Sequence, residues 1–136
     1  LLRHRSEAQL RYVGPFRERM EALGRLIYGP GVSLEVAPEL NLASRTLDGV
    51  TVPFESLSTG AREQLSLLGR LACAQLVQPG EGVPLIIDDA LGFSDPERLS
   101  RLGALLNQAG ESGQIIILTC QPDRFRNIGG AQVVRI

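Results

Sequence analysis

The stretch from Leu57 to Asp95 constrains this chain more than any other. A small polar turn, Leu57-Ser58-Thr59-Gly60, opens a helix. An apolar run, Val83–Ile87, comes next and ends in Asp88-Asp89, and a short loop, Gly92-Phe93-Ser94, closes on Asp95. A continuous apolar run of strand length is the mark of a strand covered on both faces, as in a parallel sheet. Between the turn and the strand, Ser58–Val77 reads as a long helix. Leu65, Leu68, Ala72 and Leu76 line one face, and Leu67 and Leu71 widen it, so this helix is expected to be sandwiched rather than laid on a surface. Pro79-Gly80-Glu81-Gly82 ends it.

The C-terminal half continues the alternation. Asp95-Pro96-Glu97 is a helix start, with Asp as N-cap and Pro in the first turn. Leu99, Leu102, Leu105 and Leu106 come after it at helical spacing, and Gly110 and Gly113 end the element. Gln114–Thr119 reads as a second buried strand, Pro122–Ile128 as a short helix and Gln132–Ile136 as a last strand. The order strand, helix, strand, helix, strand implies an α/β sheet with right-handed crossovers.

Upstream, residues 6–28 read as a helix in which Tyr12, Phe16, Met20, Leu23 and Ile27 recur at spacings of three and four. Gly14-Pro15 predicts a kink or a division into two segments. Residues 1–28 carry six Arg against three Glu. Two readings stand: an amphipathic surface helix with solvated charges, or the end of a long coiled coil whose Arg excess touches DNA phosphates. Gly29-Pro30-Gly31 ends that helix, and Val32–Val36 alternates as a strand. Asn41–Leu47 and Val50–Phe54 flank Asp48-Gly49, a strong hairpin signal.

Composition excludes several chemistries. All 14 basic residues are Arg. The chain therefore supplies neither a phosphate-loop lysine nor a Schiff base. The one His, His4, argues against a His-based triad or a His-rich metal site. Formal net charge is -1, so no global field steers the chain toward nucleic acid. Cys73 and Cys120 lie in apolar settings and are expected to be buried thiols in a reducing compartment, the cytoplasm. No apolar run reaches the roughly 20 residues of a membrane span. No signal peptide is apparent, and a chain that does not begin with Met reads as a piece of something longer.

In open α/β sheets, sites form beyond the carboxyl ends of the strands. Asp88 and Asp89 end one strand, and Cys120 and Gln121 end the next. If the two strands are neighbours, Asp88 is placed to hold Mg²⁺. Asp89 is placed to orient or deprotonate a water attacking phosphate, and Gln121 to hydrogen-bond the γ-phosphate or that water. The bland alternative is a pair of loop acids capping the next segment. Ser58, Thr59 and Gly60 open a helix whose free N–H groups and dipole favour anions, with Gly60 letting a phosphate approach the backbone. Taken alone, the same residues are equally a plain N-cap.

Together these segments resemble the C-terminal half of an ATP-binding-cassette (ABC) ATPase head. The likeness is to the structural-maintenance-of-chromosomes (SMC) class, including bacterial SMC-like ATPases of the YhaN kind. Leu57-Ser58-Thr59-Gly60 resembles the signature motif, Leu85-Ile86-Ile87-Asp88-Asp89 resembles Walker B, and Phe93-Ser94-Asp95 resembles the D-loop. Ile116–Gln121 resembles the strand and switch region. The likeness covers residues 55–125. It implies an α/β fold that is the C-terminal lobe of an ABC-type P-loop ATPase: a mainly parallel sheet flanked by helices, a small antiparallel hairpin, and a coiled-coil-end helix over residues 1–30 ahead of the lobe at 31–136.

By the same resemblance, ATP and Mg²⁺ are the cofactors. Asp88 is the metal ligand, Asp89 and Gln121 are catalytic, and Ser58, Thr59, Gly60 and Asp95 bind ATP held by a second head. The implied partners are the N-terminal Walker A lobe of the same protein, a second head in a homodimer, and DNA, in repair or chromosome maintenance. Residence would be cytoplasmic, in association with the nucleoid, with no membrane.

The chain departs from the family pattern in four places. Thr59 replaces a signature Gly, and Ala61 stands where Gln or Glu is usual. Asp89 replaces the catalytic Glu, and Gln121 or Cys120 takes the place of the switch His. No Walker A loop is present, so the chain is expected to be inert alone. The departures keep a second reading open, a degenerate lobe serving in dimerisation or DNA scaffolding. A phospho-receiver domain, suggested by the same acid pair, needs the lysine that is absent here.

Overall fold

The computed structural model describes residues 2–77 and 83–136. The helix stop at residues 79–82 lies outside the described residues. Helix α1 spans Leu2–Tyr28. It starts earlier than the periodicity predicts and runs through Pro15 as one element, so the expected division into two segments does not occur. The reason is that Phe16, Met20, Leu23 and Ile27 keep one unbroken stripe of spacings four, three and four, and all four are buried in the core. These residues on the C-terminal side of the proline fix the helix, whereas the side chains described ahead of it are mostly exposed.

Strands β1 (Val32–Val36), β2 (Leu42–Leu47) and β3 (Val50–Pro53) form an antiparallel sheet in that order. Asp48 and Gly49 both have positive φ, 49° and 85°, which is the two-residue turn that the sequence signals. β1 also joins this sheet, pairing with β2 across a tight turn in which Leu40 takes φ 65°. Val32 and Leu34 point into the core against α1.

Helix α2 spans Thr59–Val77 and packs against α1 on one side and strand β4 on another. Leu65, Leu67, Leu68, Leu71 and Ala72 are all buried, as a sandwiched helix requires. β4 (Leu85–Asp88) and β5 (Ile115–Leu118) pair in parallel, joined by helix α3 (Pro96–Gly110). Asp95 caps α3 by accepting the Arg98 amide at 3.0 Å.

Four expectations are corrected. The described strands are not mainly parallel: three form an antiparallel sheet of their own, because β1 extends the hairpin, and two form a separate parallel sheet. The apolar strands are covered on one face only. Leu85 and Ile87 are buried, but Ile86 is 50% exposed, Ile116 38% and Leu118 44%. Residues 131–136 form no strand; they run exposed, with no neighbouring strand among the described residues to take their hydrogen bonds. The expected helix at Pro122–Ile128 is a 3-10 turn over Pro122–Phe125.

Candidate functional site

The parallel register pairs Asp88 with Leu118, and the Asp89 amide donates to the Leu118 carbonyl at 2.8 Å. The two strand ends are therefore level, and the residues after each converge at the carboxyl edge of the sheet. The Cys120 thiol reaches the Asp89 Oδ1 at 3.7 Å. The Gln121 side-chain oxygen accepts from Arg124, whose guanidinium also reaches the Ala90 carbonyl at 3.5 Å. Asp88 and Asp89 are exposed, and neither belongs to an ion pair among the described residues.

The backbone bends sharply here, with φ 43° at Asp89 and 68° at Leu91. Asp tolerates the left-handed region, but Leu does so only under constraint. Burial of the Leu91 side chain supplies that constraint.

A second group forms at the start of α2. Ser58 is a helix N-cap: its Oγ accepts the Ala61 amide at 3.3 Å, and its carbonyl accepts the Arg62 amide at 3.0 Å. Ser58 and Thr59 are exposed. Gly60 is buried, and a Cβ there would stand 2.4 Å from the Phe93 carbonyl oxygen. The close approach that demands glycine on this side of the backbone is thus made by the chain itself.

Gln64, one turn further on, is 2% exposed. It accepts from the Tyr28 hydroxyl at 2.8 Å and donates to the Ser94 Oγ at 2.9 Å. Asp95 pairs with Arg98 at 3.4 Å. The backbone hydrogen bond from Arg98, together with the smaller effect of the Arg98 charge, holds the Asp95 carboxyl below the usual carboxylate range.

The predicted residues therefore fall into two groups. Asp88, Asp89, Cys120 and Gln121 gather at the sheet edge; Ser58, Thr59 and Gly60 open α2, where Gly60 lies against the Phe93 carbonyl, and Asp95 ends the Phe93–Asp95 loop against Arg98. Between α2 and the end of β4 lies an open cleft of about 380 Å³, lined by Thr59, Arg62, Glu63, Arg70, Ile87 and Ala90 among others. Glu63 Oε2 is buried there without a partner. Sequence reasoning missed Tyr28, Gln64 and Arg124, and gave Ser94 only as part of the Phe93-Ser94-Asp95 likeness.

The expectation of buried cysteines fails. Cys73 and Cys120 are both exposed. Cys73 is on the outward side of α2, still desolvated enough to push its thiol up, and Cys120 lies just beyond the end of β5, in solvent.

No protein-family model matches the chain. An uncharacterized protein of Mycobacterium tuberculosis (strain ATCC 25618 / H37Rv) is 50% identical over 131 residues, 96% of this chain. One of Mycobacterium bovis matches to the same degree. The chain spans 15% of the length of these relatives. Among solved structures, a chain described under ATP-driven dimerization and DNA-stimulated activation of SMC ATPases aligns with TM-score 0.71 at 17% identity. That alignment covers 88% of this chain and 75% of that one. An Smc head bound to the C-terminal winged-helix domain of ScpA gives 0.70 at 17% identity, covering 87% and 38%. The SMC head domain of Thermotoga maritima gives 0.64 at 17%, covering 92% and 45%. At this identity the likeness shows the fold alone: the chain shares its fold with part of the SMC head domains. No helix among the described residues is long and apolar enough to cross a membrane.

Proposed function

We propose that this chain is the C-terminal lobe of an SMC-like ATPase head, of the bacterial YhaN kind. It would complete an ATP site only with a Walker A lobe of the same polypeptide and a second head. The observation that carries this reading is the level parallel pairing of β4 and β5. It sets Asp88 and Asp89 beside Cys120 and Gln121 at the sheet edge where α/β folds take their ligands.

The residues fit a Mg²⁺-nucleotide. Among the described residues no cluster of three or more His, Cys, Asp or Glu forms a closed metal cage. Mg²⁺ characteristically takes one or two carboxylates and fills its shell with water and phosphate oxygens, and two exposed carboxylates without ion-pair partners match that demand. When bound, the metal would neutralise charge on the phosphates. Asp88 is the residue that would hold it. Asp89 would orient the attacking water and accept its proton. The Gln121 oxygen is engaged by Arg124, which leaves its amide N–H groups as donors toward phosphate or that water. Ser58, Thr59 and the free N–H groups at the start of α2, with Asp95, would meet the nucleotide held by the partner head. The exposed Arg side chains of α1, such as Arg11 and Arg17, are the groups that would meet DNA, in repair or chromosome maintenance.

The test is ATP turnover by the full-length protein that carries this chain, with Asp89→Asn as control. The variant is expected to lose about 10²-fold or more, the range of a general base, while the isolated chain shows no turnover. Equal background rates in wild type and variant would instead support a non-hydrolysing lobe that serves in dimerisation or DNA scaffolding. The Asp at a position where a longer Glu is expected is the observation on that side.

A further inference from the structure

The Phe93–Asp95 loop has an exposed surface and a fixed underside. Phe93 is 72% exposed, yet each of the three residues is held from below. The Phe93 carbonyl fits against Gly60 in the space a Cβ would fill. Ser94 Oγ accepts from Gln64, and Asp95 pairs with Arg98. Two of these three links lead to Tyr28. Its hydroxyl donates to Gln64, and the Arg98 guanidinium carbon lies 5.3 Å from its ring centroid, with that of Arg45 at 5.2 Å. Burial pushes the Tyr28 phenol up, with Arg45 and Arg98 pulling it back, so the hydroxyl keeps its proton and can donate. Tyr28 is the last residue of α1.

We propose that Gln64 is a positioning residue for the Phe93–Asp95 loop, held in orientation by Tyr28, so that the end of α1 sets where this loop sits against the start of α2. The inference rests on the proposed function, in which this loop and the start of α2 face a nucleotide on a second head. A fully buried amide is the side chain suited to such a link. It satisfies one partner on each side, and losing either partner leaves a polar group without water. The Tyr28–Gln64–Ser94 line is therefore expected to respond as a unit rather than as two separate bonds.

The experiment is hydrogen exchange on the nucleotide-free full-length protein, read over residues 91–95. Tyr28→Phe keeps the ring and its stacking and removes only the hydroxyl; Ser94→Ala removes the other end. Each is expected to speed exchange in the loop about fivefold, the factor of one ordinary hydrogen bond, with β2 and β3 unchanged. The double variant should exchange no faster than either single one. In turnover, Tyr28→Phe is expected to lower kcat about tenfold through misplacement of the loop, with KM for ATP within about twofold of wild type. Unchanged exchange in both single variants, or simple additivity in the double, overturns the relay. A loosened loop with unchanged kcat overturns the positioning role. A wild-type protein that folds but turns over no ATP sinks the ATPase reading, and the exchange data then decide the relay alone.

Discussion

Asp95 and Gly60 show how single residues hold the loop between them. The Asp95 carboxyl caps α3, and its folded pKa lies below the ordinary value because the Arg98 amide donates to the charged form. A depressed carboxyl contributes stability that is present above its unfolded value, about 3.9, and is lost as pH falls through the folded value. Asp95→Asn keeps an acceptor for the cap but cannot titrate. Wild type is therefore expected to melt at or above the variant at neutral pH, with the difference shrinking below about pH 4. Melting curves across the acid range check this. Gly60→Ala brings a Cβ to 2.4 Å from the Phe93 backbone oxygen, closer than such atoms can approach without a shift of the backbone. A loss of about 1–3 kcal/mol, typical of overpacking, is expected in denaturant unfolding. The acids, the cap and the turn were legible because each arises from local chemistry at a fixed offset. Gln64 was not, although it left a trace: it sits between Ala61, Leu68 and Leu71 on one stripe, a polar residue where the helical period demands an apolar one. The period tells that such a side chain is buried, but only packing supplies Tyr28 and Ser94 as its partners.

Among the elements, α1 carries the sharpest conflict between local and tertiary preference. Pro15 sits inside the helix, where it removes one backbone donor and crowds the preceding turn. The helix persists because four core side chains directly after the proline are committed to a single stripe. Pro15 itself is exposed, so replacing it disturbs no packing. Pro15→Ala is expected to stabilise the protein by up to about 3 kcal/mol, the difference between the two residues in a helix interior. An upward shift of the denaturant midpoint with unchanged slope would show it. The same competition explains which elements the sequence revealed. α2, α3 and the Asp48-Gly49 turn have agreeing local and tertiary signals and appear where expected. Residues 132–136 have the composition of a strand, but a strand exists only where a neighbour takes its hydrogen bonds, and that is a property of the sheet.

At the scale of the molecule, the apolar runs of β4 and β5 ask for cover on two faces, and this chain provides one. Leu85, Ile87, Ile115 and Ile117 face the helices, while Ile86, Ile116 and Leu118 form an apolar strip on the opposite face. The sequence thus stated a requirement that the described residues do not meet, consistent with a chain that spans 15% of the length of its relatives. The proposed Walker A lobe is the element that would lie over that strip. In the full-length protein, changing Ile86, Ile116 and Leu118 together to Thr is then expected to destabilise the head. Each buried aliphatic side chain contributes on the order of 1.5–3 kcal/mol, so a drop of several kcal/mol is expected. The same change should leave the Ser58–Ala61 cap and the Phe93–Asp95 loop intact, because neither touches that face. A full-length variant that melts with the wild type, together with wild-type protein that binds a hydrophobic dye at the strip, would mean the face stays open in the whole protein. The Walker A lobe would then not lie over this sheet, and the division of one ATP site between the two lobes would fall with it.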